Sequence, residues 1–284
     1  MIPKAEVVVL CFSLLLAGCG SFKADGSSDA ASEALAVGVV GTPPTVIAQI
    51  PSNDGTGGSG GARGKVAFTC TGGRSVWVYV PTGTLPSDPL PVLTAFHGAG
   101  DNANNFSLGI EYLGWIALGQ SEKFIVVVPS SLNVDRPSFS HFSGPSTLDE
   151  AATTNEAKSV HDCVLKEIGA RYNLSISHQH WVGFSEGATF TNYAGPLMTP
   201  RLKTAVIFAG AAGRRPSADL HPIPMSFIVG SLDSADAIQQ IANQWQAAGH
   251  EVLFQSVPNV GHSFSQLSNV APPSQVWNWI KSHN

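Results

Sequence analysis

HWVGFSEGATF, residues 180–190, is the stretch on which the reading of this chain turns. It contains the pentad Gly183-Phe184-Ser185-Glu186-Gly187, a G-x-S-x-G pattern. Apolar residues lead into it and helix formers follow. That order predicts a strand over 180–184, a sharp turn at Ser185 and a helix over 186–194. A serine on such a turn presents its hydroxyl, and flanking glycines give the strained backbone room. Spelling alone does not decide the matter, because Gly57-Gly58-Ser59-Gly60-Gly61 matches the same pattern. Ser59 has no strand before it and no helix after it, so it is set aside.

A serine hydroxyl is a weak nucleophile. It needs a base, a group to orient the base, and donors for the developing oxyanion. The chain offers each of these in a consistent order. Ser226-Phe227-Ile228-Val229-Gly230-Ser231-Leu232-Asp233 reads as a late strand delivering an acid, Asp233. Asp236 is the alternative, although an acid there is also expected as a first-turn residue of the following helix. His262 follows the last strand through Val257-Pro258-Asn259-Val260-Gly261 and is the expected base. His97-Gly98-Ala99-Gly100 ends an early strand. Small residues there suit a main-chain oxyanion site, with N–H groups expected from Ala99 and Glu186. The Glu186 carboxylate is expected to turn away, with recognition of a cationic substrate as the alternative. His178 and His180 lack a third ligand and no H-E-x-x-H is present, so neither metal nor cofactor is expected.

The surrounding pattern is one of strands alternating with helices. A hairpin is predicted from 66–70 and 76–81, followed by strands over 91–96, 124–128, 180–184, 205–209, 227–229 and 252–257. Helices are predicted over 156–172, 186–194, 235–248 and around 276–280. Continuous apolar strands separated by helices imply an α/β fold, a mostly parallel sheet covered on both faces. Asn133 to Lys158 reads as a long polar loop carrying Phe139, His141 and Phe142; a substrate-binding overhang of the catalytic edge is one expectation and a solvated surface excursion the alternative. With 43% apolar residues the chain can fill a large core, and its net charge of −5 gives no basic stripe for nucleic acid.

The N-terminus reads as a processing signal over 1–18. Lys4 precedes an apolar run from Val7 to Ala17, which is too short to span a bilayer, and Leu16-Ala17-Gly18-Cys19 follows. This tetrapeptide resembles the lipobox of bacterial lipoproteins, which implies lipid on Cys19; an ordinary cleaved signal is the alternative. Residues 19–63, rich in Gly and Ser, are expected to be a flexible tether. Removing Cys11 and lipidating Cys19 leaves Cys70 and Cys163, an even pair expected to form a disulfide, with two buried thiols as the alternative.

Four motifs now stand in order: FHGAG at 96–100, GFSEG at 183–187, VGSLD at 229–233 and VGHSF at 260–264. Over residues 64–284 the chain resembles secreted α/β-hydrolase esterases of the poly(3-hydroxybutyrate) depolymerase and feruloyl esterase type. The resemblance implies an α/β-hydrolase fold without a large cap domain, with Ser185 as nucleophile, Asp233 as orienting acid and His262 as base. It also implies a small-molecule or polymer-borne ester as substrate. Ser263-Phe264 stands where many such depolymerases carry a tryptophan after the histidine. His97, Phe139, Phe142 and Phe264 are the candidates for substrate contact. The expectation is an extracytoplasmic ester hydrolase, lipid-anchored or secreted. A non-catalytic lipoprotein, or a peptidase or thioesterase on the same fold, is the alternative, and the oligomeric state stays open.

Overall fold

The computed structural model describes residues 53–133, 135–143, 147–198, 202–211 and 222–284. Eight strands form one sheet: β1 (Gly64–Cys70), β2 (Arg74–Val80), β3 (Leu90–Phe96), β4 (Ile125–Pro129), β5 (Leu174–Phe184), β6 (Leu202–Phe208), β7 (Met225–Gly230) and β8 (Val252–Val257). Their order is β1-β2-β4-β3-β5-β6-β7-β8. β1 pairs antiparallel with β2, and β2 antiparallel with β4; all other pairs are parallel. The position of each strand follows from its side chains. β1 alternates between half-buried and exposed residues, as suits an edge strand. Every residue of β4 and β7 is buried, as suits the interior of a parallel sheet. The β1–β2 hairpin turns at Gly72 and Gly73, whose φ values of 83° and 80° lie where only glycine is comfortable.

The helices are α1 (Ala103–Tyr112), α2 (Trp115–Glu122), α3 (Glu150–Asp162), α4 (Gly169–Arg171), α5 (Glu186–Ala194), α6 (Ala235–Ala247), α7 (Phe264–Val270) and α8 (Pro273–Lys281). A π-helical turn, Cys163–Ile168, joins α3 to α4. One face of the sheet is covered by α3, α5 and α6 through Val160, Phe190, Ile238 and Trp245. The other is covered by α1, α2, α7 and α8 through Ile110, Trp115, Leu267 and Trp277. Three of these helices, α1, α2 and α7, go beyond the expectation from sequence. Each is short and buries only two to four residues, too few to print a clear apolar period. α3 begins at Glu150, six residues before the expected start. Its first turn, Glu150-Ala151-Ala152-Thr153, carries no large apolar side chain but is capped by Asp149, whose side chain accepts from the Ala152 N–H at 2.9 Å. The expected long loop therefore ends at 149, and residues 150–158 are helical.

Two further features fix the frame. Cys70 at the end of β1 and Cys163 at the π turn form the expected disulfide, closing a sequence separation of 93 residues. By chain entropy such a closure contributes about 4–5 kcal/mol. Beside it, Arg74 and Glu156 form a fully enclosed ion pair at 2.9 Å. Arg74 also donates to Ser130 O at 2.6 Å, and Glu156 accepts from the Leu132 N–H at 3.0 Å. This pair thus holds the chain as it leaves β4.

Residues 53–63 depart from the expected tether. They lie along α4 and the start of β5, with Thr56 N–H donating to Leu174 O at 2.9 Å and Gly60 N–H to Arg171 O at 2.8 Å. The glycines there serve close approach. A Cβ on Gly58 would lie 2.5 Å from the Tyr172 backbone, and one on Gly55 would lie 2.1 Å from Asn173 Oδ1. Ser59 sits exposed in this segment. The signal segment, Cys19 and the tether up to residue 52 lie outside the described residues.

Candidate active site

β5 carries the chain from the sheet into α5 through Ser185. Ser185 has φ 57° and ψ −122°, a conformation that costs energy for any residue with a side chain. The surroundings leave no freedom to relax it. The Ser185 N–H donates to Phe208 O, and Ser185 O accepts from the Thr189 N–H, both at 3.0 Å. The pentad glycines make the turn sterically feasible. A Cβ on Gly183 would stand 2.2 Å from Gly187 O, and one on Gly187 would stand 2.4 Å from Phe96 O. Gly210, after β6, is a third such residue, since its Cβ would lie 2.2 Å from Ser185 O.

The loops after β7 and β8 meet beside this turn. Leu232 N–H donates to Val260 O at 2.9 Å, and Gly230 has no room for a Cβ, which would fall 2.0 Å from the same oxygen. The loops bring Asp233 and His262 to the serine. His262 Nδ1–H donates to Asp233 Oδ2 at 2.7 Å, and His262 Nε2 accepts from Ser185 Oγ at 2.8 Å. Asp233 Oδ1 in turn accepts from the Ser234 N–H at 2.8 Å. The Asp233 side chain is 14% exposed and the His262 side chain 47%, so the acid is sheltered while the imidazole faces solvent. Asp236 lies in the first turn of α6, and the His262 imidazole bonds to Asp233 instead.

The segment 97–100 lies against the serine. A Cβ on Gly98 would be 3.2 Å from Ser185 Cβ. Among the described residues, neither the Ala99 nor the Glu186 N–H donates to another protein group. The Glu186 carboxylate is paired with Arg136, from the segment after β4. Sequence reasoning missed this arginine, which lies 50 positions away in an irregular segment with no spacing to announce it.

The four residues expected to touch substrate divide into two pairs. His97 has no exposed surface. Its Nδ1–H donates to Gly98 O at 2.8 Å and its Nε2 accepts from the Ser131 N–H at 3.3 Å. Burial lowers its pKa and keeps the ring neutral, so it braces the 97–100 turn from behind. Phe139 is also fully enclosed, packed on Phe96, His97 and Phe190 with ring centroids 4.7–5.3 Å apart. It has no face to offer a substrate, because the apolar floor beneath the site claimed it. Phe142 and Phe264 retain exposed surface. Phe142 lies under the Arg136 guanidinium at 5.1 Å. Phe264 stacks on Phe184 at 5.2 Å and on Phe106 at 5.6 Å, and Phe184 stands 5.1 Å from the His262 ring. An aromatic wall therefore begins beside the imidazole. His178 and His180 lie in β5, where His180 Nδ1 pairs with Thr204 Oγ1 at 2.9 Å.

The sequence matches no protein-family model and no curated protein. Solved structures do resemble it. A thermostable esterase is similar with a TM-score of 0.58 and 15% identity, over 77% of this chain and 62% of that one. The chain thus spans less than two thirds of that esterase. A ferulic acid esterase from the anaerobic fungus Anaeromyces mucronatus is similar with a TM-score of 0.58 and 17% identity, over 78% of this chain and 90% of that one. The Bacillus cereus carboxylesterase is similar with a TM-score of 0.54 and 17% identity, over 73% of this chain and 94% of that one. At such identities the likeness is one of fold. The chain has the α/β-hydrolase fold, and the solved structures it resembles include esterases, feruloyl esterases among them.

Proposed function

We propose that the protein is a serine carboxylic-ester hydrolase acting through an acyl-enzyme. The observation that carries this is the hydrogen-bonded chain Ser185–His262–Asp233, at 2.8 and 2.7 Å, on a strained strand-to-helix turn. His262 Nε2 takes the Ser185 proton as Oγ attacks the ester carbonyl. Asp233 holds the imidazole in the Nδ1–H tautomer and stabilises the imidazolium that forms. The oxyanion develops against the N–H groups of Ala99 and Glu186, which have no competing acceptor among the described residues. His262 then protonates the leaving alkoxide, and water, deprotonated by the same ring, releases the acid. The exposed imidazole suits a substrate presented by a polymer as well as a free ester. The Phe184–Phe264–Phe106 wall favours an aromatic acyl group, and a structurally similar ferulic acid esterase has been solved with ferulic acid.

The reading includes a location outside the bacterial cytoplasm, with lipid on Cys19. The Cys70–Cys163 disulfide supports the oxidising compartment. The mass of the mature N-terminal peptide checks the lipid, and an unmodified Cys19 in that peptide rejects it. For the catalytic claim, Ser185→Ala is expected to lower kcat on p-nitrophenyl acetate by at least about 10³-fold. A variant that keeps the parental rate removes Ser185 as the nucleophile. Methyl ferulate is expected to give a higher kcat/KM than methyl acetate; equal values argue against the aromatic acyl preference.

A further inference from the structure

A glutamate directly after a nucleophilic serine poses an electrostatic problem. Its carboxylate complements the N-terminus of α5, but it stands next to the place where negative charge develops in acyl transfer. The structure supplies a counter-ion. Arg136 Nη2 pairs with Glu186 Oε1, and the Glu186 side chain is only 18% exposed. Glu186 Oε2 is buried, with no hydrogen-bond partner among the described residues.

The arginine lies within a short segment that grips both sides of the site. Pro137 O accepts from the Gly100 N–H at 2.8 Å, and Ser140 Oγ donates to Glu186 O at 3.0 Å. These two bonds already tie the 97–100 turn and the start of α5 to the segment. The guanidinium, resting on Phe142 at 5.1 Å, adds a charge to a connection that neutral groups have made.

We propose that Arg136 is a positioning residue whose charge neutralises the Glu186 carboxylate and so permits an anionic transition state at Ser185. This rests on the reading of Ser185 as nucleophile and of the Ala99 and Glu186 N–H groups as oxyanion donors. Without the arginine, an uncompensated carboxylate opposes the oxyanion. Removing that carboxylate as well relieves the opposition.

The test measures kcat and KM of the full chain on p-nitrophenyl acetate. Arg136→Met keeps an apolar stem over Phe142 and removes the charge. It is expected to lower kcat about tenfold, with KM within about twofold, because the opposed charge exists only in the transition state. Arg136→Lys, which restores a cation, is expected to lose less than about threefold. Adding Glu186→Gln to Arg136→Met is expected to raise kcat at least about fivefold above the single variant, since the repulsion is gone. If Arg136→Met folds poorly, Arg136→Gln is compared with and without Glu186→Gln in the same way. An unchanged kcat in Arg136→Met, or a double variant as slow as the single one, overturns the proposal. Ser185→Ala separates the two levels. Turnover that survives it removes the catalytic reading itself. A dead Ser185→Ala alongside a failed rescue removes only the role of Arg136.

Discussion

At the scale of single residues, the site depends on atoms that are missing as much as on those present. Gly187 faces two main-chain oxygens, and a Cβ there would meet Phe96 O at 2.4 Å and His97 O at 2.5 Å. Neither oxygen sits on a flexible side chain, so the methyl group must push β3 and the 97–100 turn away from α5. That displaces the Ala99 N–H relative to Ser185. Gly187→Ala is therefore expected to lower kcat on p-nitrophenyl acetate by about 10²-fold, the scale of a 1 Å misplacement. A variant with parental kcat would show that the turn absorbs the shift without moving the oxyanion site. The sequence made Gly183 and Gly187 legible because a strand and a helix flank them. Gly55 and Gly58 were not legible, because glycines packed against backbone look the same in sequence as glycines in a loose linker. Glu186 was half legible. Its carboxylate needed a partner, but nothing in the local sequence pointed to Arg136.

At the scale of elements, the strands were easier to read than the helices. β8 spans 252–257 as expected and α5 spans 186–194 as expected, with Pro258 stopping the first and Gly195 the second. α3 was misplaced at its N-terminus because its anchor there is polar. Glu156 is 5% exposed, yet it faces the core to meet Arg74, which is 1% exposed. Thr153 and Glu156 on the buried face of this helix read as solvent-facing in sequence. That ion pair joins three elements: β2 through Arg74, the chain after β4 through Leu132 and Ser130, and α3 through Glu156 and Ser159. Removing one partner leaves a buried charge uncompensated. Glu156→Ala is expected to cost about 3–5 kcal/mol in urea unfolding. Glu156→Gln keeps an acceptor for Leu132 and is expected to fall between the parent and the alanine variant. A loss under about 1 kcal/mol for the alanine change would mean that water or a rearranged Arg74 replaces the carboxylate.

At the scale of the whole molecule, strand order follows from chemistry that the sequence displayed only in part. An apolar run tells that a strand is buried, but not which neighbours it pairs with. The order β4-β3-β5 required the structure, although the placing of Ser185, Asp233 and His262 after the ends of β5, β7 and β8 already implied a shared edge. The folded sheet also encloses imidazoles. His97, His178, His180 and His250 all have pKa values lowered mainly by burial, His180 to about 3 against an ordinary 6.5. For His180, the neighbouring His178 and Lys203 add to the effect. A histidine with a depressed folded pKa is neutral in both states above about pH 6.5. As the pH falls below that value, the unfolded chain takes up a proton that the folded one refuses, so stability drops with acid. The window for His180 runs from its unfolded value down to about 3. Each such group contributes up to about 1.4 kcal/mol per pH unit inside its window. The urea unfolding free energy is therefore expected to be flat between about pH 7 and about pH 9 and to fall steeply between pH 6 and 5, before most carboxylates titrate. His180→Leu isolates one contribution. It lowers stability at pH 7.5, because Thr204 Oγ1 loses its partner, but it is expected to flatten the slope between pH 6 and 5 by roughly 1 kcal/mol per unit. Parallel slopes for parent and variant would show that His180 accepts its proton within the fold, and acid sensitivity would then have to come from the other three rings.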